Sequence, residues 1–184
     1  MDYSLHHSGN GYKKLMKNNL LSPEHLQVSV LFKPGYSIAY EFLSQFTWPW
    51  EALPGIGGFI LKLSTDLDKD EFIEHSDGVW IHKDAKVAHS AYIGKCVIID
   101  ADAEVRHGAF IRENALVGAG SVVGNSTELK NVILFNEVQV PHYNYVGDSI
   151  LGYKSHMGAG SITSNLKNDQ SLITVSVGGV RIET

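Results

Sequence analysis

From Ile81 onward, a large apolar residue recurs every six positions: Ile81, Val87, Ile93, Ile99, Val105, Ile111, Val117, Val123 and Leu129. Four residues after each stands a second inward candidate: Ala85, Ala91, Val97, Ala103, Ala109, Ala115, Ser121, Thr127 and Ile133. Most of these are small. A helix would show a period of 3.6 and an amphipathic strand a period of 2. Six matches neither as a single element. It fits a short strand plus a tight corner, one side of a triangular coil, with the β-branched residue filling the interior and the small one letting the chain turn close to it. Three hexads close a coil of 18 residues, so nine give three stacked coils. Ordinary antiparallel strands are disfavoured, because turn signals every 8–12 residues are missing.

The register slips after Leu129 and resumes at Val146-Gly147, Leu151-Gly152 and Met157-Gly158, with Ser155 and Ser161 at the small position. The intervening Phe135–Tyr145 breaks the pattern, and solenoids tend to carry function where a coil bulges.

Upstream the pattern changes. Ser22-Pro23-Glu24 has the form of a helix start. Tyr36–Phe46 has helical spacing through Ile38, Phe42 and Phe46, and Ile56–Leu63 places Ile56, Phe59, Ile60 and Leu63 on one helical face. Residues 1–76 are therefore expected to form an N-terminal segment with a helical cap over the open end of the coils, and residues 77–184 the coils themselves. Met1–Asn19 is polar and unpatterned. The last residues, Ile182-Glu183-Thr184, stop mid-pattern, which implies either a truncation or cover by another chain.

Composition narrows the class. Of 184 residues, 43% are hydrophobic and 19% charged, ordinary values for a soluble globular protein. A formal charge of −5 argues against a nucleic-acid or anionic-membrane binder. Cys96 is the only cysteine, so a disulfide framework cannot form within the chain and a reducing cytoplasm fits. The N-terminus lacks the basic and apolar regions of a signal peptide.

The segment Pro141-His142-Tyr143-Asn144-Tyr145-Val146-Gly147-Asp148, followed by Gly158-Ala159-Gly160-Ser161-Ile162-Thr163-Ser164-Asn165, resembles the acetyltransferase domain of the bifunctional N-acetylglucosamine-1-phosphate uridyltransferases. It resembles still more the stand-alone β-helix proteins related to UDP-N-acetylglucosamine pyrophosphorylases. The resemblance spans roughly Val79 to Asn165. It implies a mainly β fold, a left-handed parallel β-helix of hexapeptide repeats, and an acetyl-CoA-dependent acyltransferase acting on an amino-sugar 1-phosphate in UDP-N-acetylglucosamine biosynthesis. By that resemblance His142 is the general base, a task that suits an imidazole with a reference pKa near 6.5. Asn165 joins it at the active site. Arg112 and Lys130, at the family's offsets before the His, bind the sugar phosphate, as a bidentate fork and a point charge respectively. Tyr145 and His156 meet the sugar, and Ala159 and Thr184 the acetyl-CoA. The family forms homotrimers with active sites between subunits, so a homotrimer is expected.

Several positions depart from the family. His156 replaces an Asn, Leu166 an aromatic residue, and Ser171 a substrate-binding Lys, with Lys167 nearby but displaced. The nucleotidyl-transfer half has no counterpart. Two rivals follow. One is a zinc enzyme of the β-helix carbonic-anhydrase type through His107 and His142, but its third His would fall at Gly147; no metal is expected, and His82 and His89 are taken as surface corner residues. The other is a non-catalytic sugar-phosphate-binding or scaffold protein.

Overall fold

The computed structural model describes residues 22–163, 171 and 173–184. Asn165, Leu166 and Lys167 lie outside the described residues. The hexads do what their period requires: they form a parallel β-solenoid of about four turns, with three faces joined by tight corners. Face A is built from β2 (Val79–His82) and the second halves of β4 (Tyr92–Ile99), β6 (Phe110–Val117), β8 (Glu128–Leu134) and β10 (Tyr145–Leu151). Face B is the four-stranded sheet of β3 (Lys86–Val87), β5 (Glu104–Val105), β7 (Val122–Asn125) and β9 (Gln139–His142). Face C consists of the first halves of β4, β6, β8 and β10, which bend through a corner into face A. The edge of face A is covered by β1 (Phe72–Ser76), antiparallel to β2.

The corners need residues that tolerate left-handed backbone. Cys96, Asn114, Asn131 and Asp148 hold φ between 44° and 55° at the corner from C to A, on successive levels. Gly108, Ser126, Tyr143 and Gly160 hold φ between 50° and 75° at the corner from B to C. Asn, Asp and Gly carry the smallest penalty there. Inside, Val105, Ile111, Val117, Val123 and Leu129 are at most 1% exposed, each contributing about 1.5–3 kcal/mol by burial.

The slip after Leu129 is a shortening, with no inserted loop. Ile111 pairs with Leu129, eighteen residues on, but Glu113 pairs with Lys130, seventeen on, which leaves Arg112 without a counterpart. From there the spacing stays at seventeen: Val123 pairs with Val140, Leu129 with Val146 and Ile133 with Ile150. Phe135–Tyr145 is thus a regular part of a shorter coil, contrary to the expected bulge. The same shift moves Ile133 off its expected inward position. Val132 and Leu134 point in, and Ile133 stands with Ile98 and Leu116 on the outer side of face A.

Those outward residues are nonetheless fully buried, because the helical segment lies on them. It comprises a 3-10 turn (Pro23–Leu26), α1 (Val28–Leu31), α2 (Tyr40–Leu43), a second 3-10 turn (Pro49–Gly55) and α3 (Ile56–Asp66). α3 packs across β4, β6 and β8, and the turn before it reaches β10. Ile56 and Ile60 join the core. Farther along, Phe32 meets Phe135 (ring centroids 5.0 Å) and Tyr36 stacks on Tyr153 (4.1 Å). The helices therefore run along the side wall and do not sit over an end.

The C-terminal residues form no further coil. β11 (Thr174–Val177) and β12 (Val180–Glu183) make an antiparallel hairpin. Gly178 and Gly179, at φ 58° and 80°, form its two-residue turn. The expected mid-pattern stop is thus a closed hairpin. No helix among the described residues is long and apolar enough to cross a membrane.

Candidate functional site

The corner from B to C at the fourth level is built around an amide. Asn144 continues the inward column of Ala109 and Thr127 and is 3% exposed. Its Oδ1 accepts the His142 backbone N–H at 3.1 Å, and its Nδ2 donates to the carbonyls of Gly158 (2.8 Å) and Ser161 (3.2 Å). One buried side chain so joins the backbone of His142 to the Gly158-Ala159-Gly160 segment of the next level. The Gly160 N–H donates to the His142 carbonyl, at 3.1 Å. The imidazole is exposed and makes no hydrogen bond or ion pair with another described residue. One level below, Gly124 passes so close under the Pro141 carbonyl that a side chain there would overlap it.

The corner from C to A has the opposite character. Lys130 Nζ lies 3.1 Å from Asp148 Oδ2, and Asn131 Nδ2 donates to Asp148 Oδ1 (2.9 Å) and to the Leu53 carbonyl (3.1 Å). Arg112, bulged out by the shortening of the next coil, pairs with Glu128 at 3.1 Å. Both expected phosphate-binding cations already hold a carboxylate.

Face C lies between these two corners. Its outward column runs Tyr92, Phe110, Glu128, Tyr145, Ile162. The Tyr145 ring folds over Gly147, where an added Cβ would fall 2.6 Å from the phenol oxygen. Gly147 stands beside Lys130 and five residues past His142, so at most about 17 Å of backbone separates the corners. Within the chain, then, His142 and the two cations stand at opposite edges of one face with Tyr145 between them.

The other expected residues sit apart from that cleft. His156 is exposed and bridges to Gln139 on face B. Ala159 is exposed at the corner above His142. The Thr184 hydroxyl donates to the Ile173 carbonyl at 2.9 Å, closing the C-terminal hairpin. Asn144 was missed at the sequence level. Its signal was the column Ala109, Thr127, Asn144, Ser161, visible only once seventeen-residue spacing replaces eighteen.

The histidines do not assemble the zinc triad. His107 accepts or donates to Ser90 Oγ at 2.6 Å, and Asn125 separates its level from that of His142. His82, expected at the surface, is only 8% exposed. It lies with Glu71 and Asp84 in a ligand-like cluster, but its two ring nitrogens face different carboxylates: Nε2 is 3.4 Å from Glu71, and Nδ1 accepts the Asp84 N–H at 3.1 Å. Lys83 already sits 2.6 Å from Glu71. The cluster ties β1 to the turn after β2. Burial raises the carboxyl pKa of nearby Asp100, partly offset by the Ala101 N–H and by His82.

Comparison with known proteins adds the following. Residues 95–184 match the family described as GMPPB C-terminal domain. The bifunctional protein GlmU of Methanococcus vannielii is 39% identical over 62 residues, covering 34% of this chain and 15% of that protein. The bifunctional sugar-1-phosphate nucleotidylyltransferase/acetyltransferase of Sulfurisphaera tokodaii is 36% identical over 62 residues, 34% of this chain and 16% of that protein. Perosamine N-acetyltransferase from Caulobacter crescentus, solved with CoA and GDP-perosamine, aligns at TM-score 0.39 and 20% identity over 60% of this chain and 58% of its own. The chain thus spans about 15% of the length of the curated relatives it matches. In repeat, in motif and in its matches to the curated bifunctional proteins over about a third of its length, the chain resembles the hexapeptide-repeat acetyltransferase portion of the GlmU-type enzymes.

Proposed function

We propose that the chain is an acetyl-CoA-dependent N-acetyltransferase for an amino-sugar 1-phosphate, with the substrate lying across face C. The observation that carries this reading is the arrangement of that face: an exposed imidazole without an acidic partner among the described residues at one edge, two cations at the other, and Tyr145 between. The amine nitrogen attacks the thioester carbonyl, forming the C–N bond. His142 takes the amine proton, the C–S bond breaks, and coenzyme A leaves as the thiol. Tyr145 packs against the sugar. Lys130 and Arg112 exchange their carboxylates for phosphate oxygens. Ala159, stacked above His142, borders the path of the acetyl-CoA arm. A second subunit of a homotrimer, supplying residues at the His142 corner, completes the site.

Measured by thiol release with glucosamine 1-phosphate and acetyl-CoA, His142→Ala is expected to lose about 10²- to 10⁴-fold in kcat while keeping the wild-type circular dichroism. The ion pairs on Lys130 and Arg112 favour a second reading, a non-catalytic sugar-phosphate-binding protein. Folded protein that releases no thiol with any amino sugar or amino-sugar phosphate would establish it.

A further inference from the structure

Two hollows lie side by side where the corner from C to A passes the first levels, well before the His142 corner in the stack. One, of about 450 Å³, is bounded by α3 through Gly57 and Leu61; the other, of about 470 Å³, opens onto face C. Asp77, Lys95 and Glu113 line both, forming the ridge between them. Lys95 pairs directly with Glu113 on the next level, and Asp77 lies one level before, so the signs alternate along the ridge. No side chain of the three makes a hydrogen bond or ion pair with another described residue. The outer hollow is walled on one side by Tyr92, 59% exposed, whose ring leans on that of Phe110 at 5.2 Å. Arg112 stands on its other side.

The chemistry of this groove selects among ligands. Asp77, Glu113 and the Glu128 carboxylate that holds Arg112 outnumber Lys95 and Arg112 by one, which repels a phosphate, while Lys95, standing between Asp77 and Glu113 in the stack, keeps a metal ion from gathering both carboxylates. An apolar ligand would leave the charges of Asp77, Lys95 and Glu113 desolvated without partners. A pyranose meets each condition. Every hydroxyl both donates and accepts, so adjacent hydroxyls can bridge an ammonium and a carboxylate. The C–H face of the ring packs on an aromatic side chain. The volume falls in the range of small-molecule sites, about 300–1,000 Å³.

We propose that this groove is a saccharide-binding subsite for an uncharged pyranose, with Tyr92 as its platform and the Lys95–Glu113 pair holding neighbouring hydroxyls. It does not rest on the acyl-transfer reading. The test is saturation-transfer NMR on the full chain with free glucose, mannose and N-acetylglucosamine, each in turn, and with uridine monophosphate as a charged aromatic control. At least one sugar should show transfer to its ring C–H protons. Its affinity should fall at least five-fold in Tyr92→Ala and in Glu113→Gln, and should be unchanged in His142→Ala. No transfer to any of the three sugars, transfer unaffected by Tyr92→Ala, or Tyr92-dependent transfer to the nucleotide alone would each overturn the proposal. So would light scattering and solvent-accessibility labelling that show Tyr92 covered by a second copy. Loss of thiol release in His142→Ala bears only on the acyl-transfer reading, so the two can fail separately.

Discussion

The two corners that flank face C are made from opposite materials. The one carrying His142 is held by a neutral amide and by backbone, with no acidic partner for its imidazole among the described residues. The one carrying Lys130 and Arg112 is saturated with charge, each cation facing a carboxylate. Under the proposed acyl transfer, the difference separates two demands. A general base must stay neutral and accepting, and a carboxylate beside it would favour the protonated form. A cation that is to receive phosphate can rest on a carboxylate until the ligand displaces it, which lowers affinity but keeps the side chain oriented.

That contrast can be broken at three places, in falling order of effect. Removing the amide with Asn144→Ala leaves the His142 N–H without its acceptor, while the Gly158 and Ser161 carbonyls keep the N–H groups of Ser161 and Tyr145. Stability should fall by about 1–3 kcal/mol, the scale for an unsatisfied buried group, measured by urea denaturation. If stability is unchanged, the corner is held by backbone alone. Next, Asp148→Asn keeps an acceptor for Asn131 but frees Lys130 of its charge partner. KM for the sugar phosphate should drop several-fold with kcat unchanged; a rise in KM would mean that Asp148 serves to aim the lysine. The smallest effect belongs to Glu128→Gln, since exposed pairs are worth about 0.2–1 kcal/mol. It should lower KM by less than about three-fold at low salt and not at all near 1 M salt, where screening removes the pair.

Much of the solenoid was legible because its signal is local and repeated. Each hexad states its own inward residue, and the buried set from Val97 to Leu129 follows the pattern. Ile133 was misplaced because deletion of one residue changes the phase of every later side chain without changing the residue types. Phe135–Tyr145 looked irregular for the same reason. The helices were legible as helices, but their placement was not. Ile98 and Leu116 sit between inward residues of face A, and an apolar residue on both sides of a strand is the only mark that something covers the outside. The Gly178-Gly179 pair was a hairpin signal left unused. At the candidate site, the motif gave His142 and Tyr145, but the carboxylates on Lys130 and Arg112 come from neighbouring levels, which only stacking brings together.

A stack of coils in which each level touches only its neighbours would ordinarily melt from its ends, level by level. Here residues 32–60 act as a splint, touching the stack from Phe135 and Tyr153 at one end to the strands beneath α3 at the other. A level can open only if the splint lifts, and lifting it exposes every level it spans. Unfolding is thereby made cooperative along the stack, and a corner near the last level inherits the rigidity of the whole column.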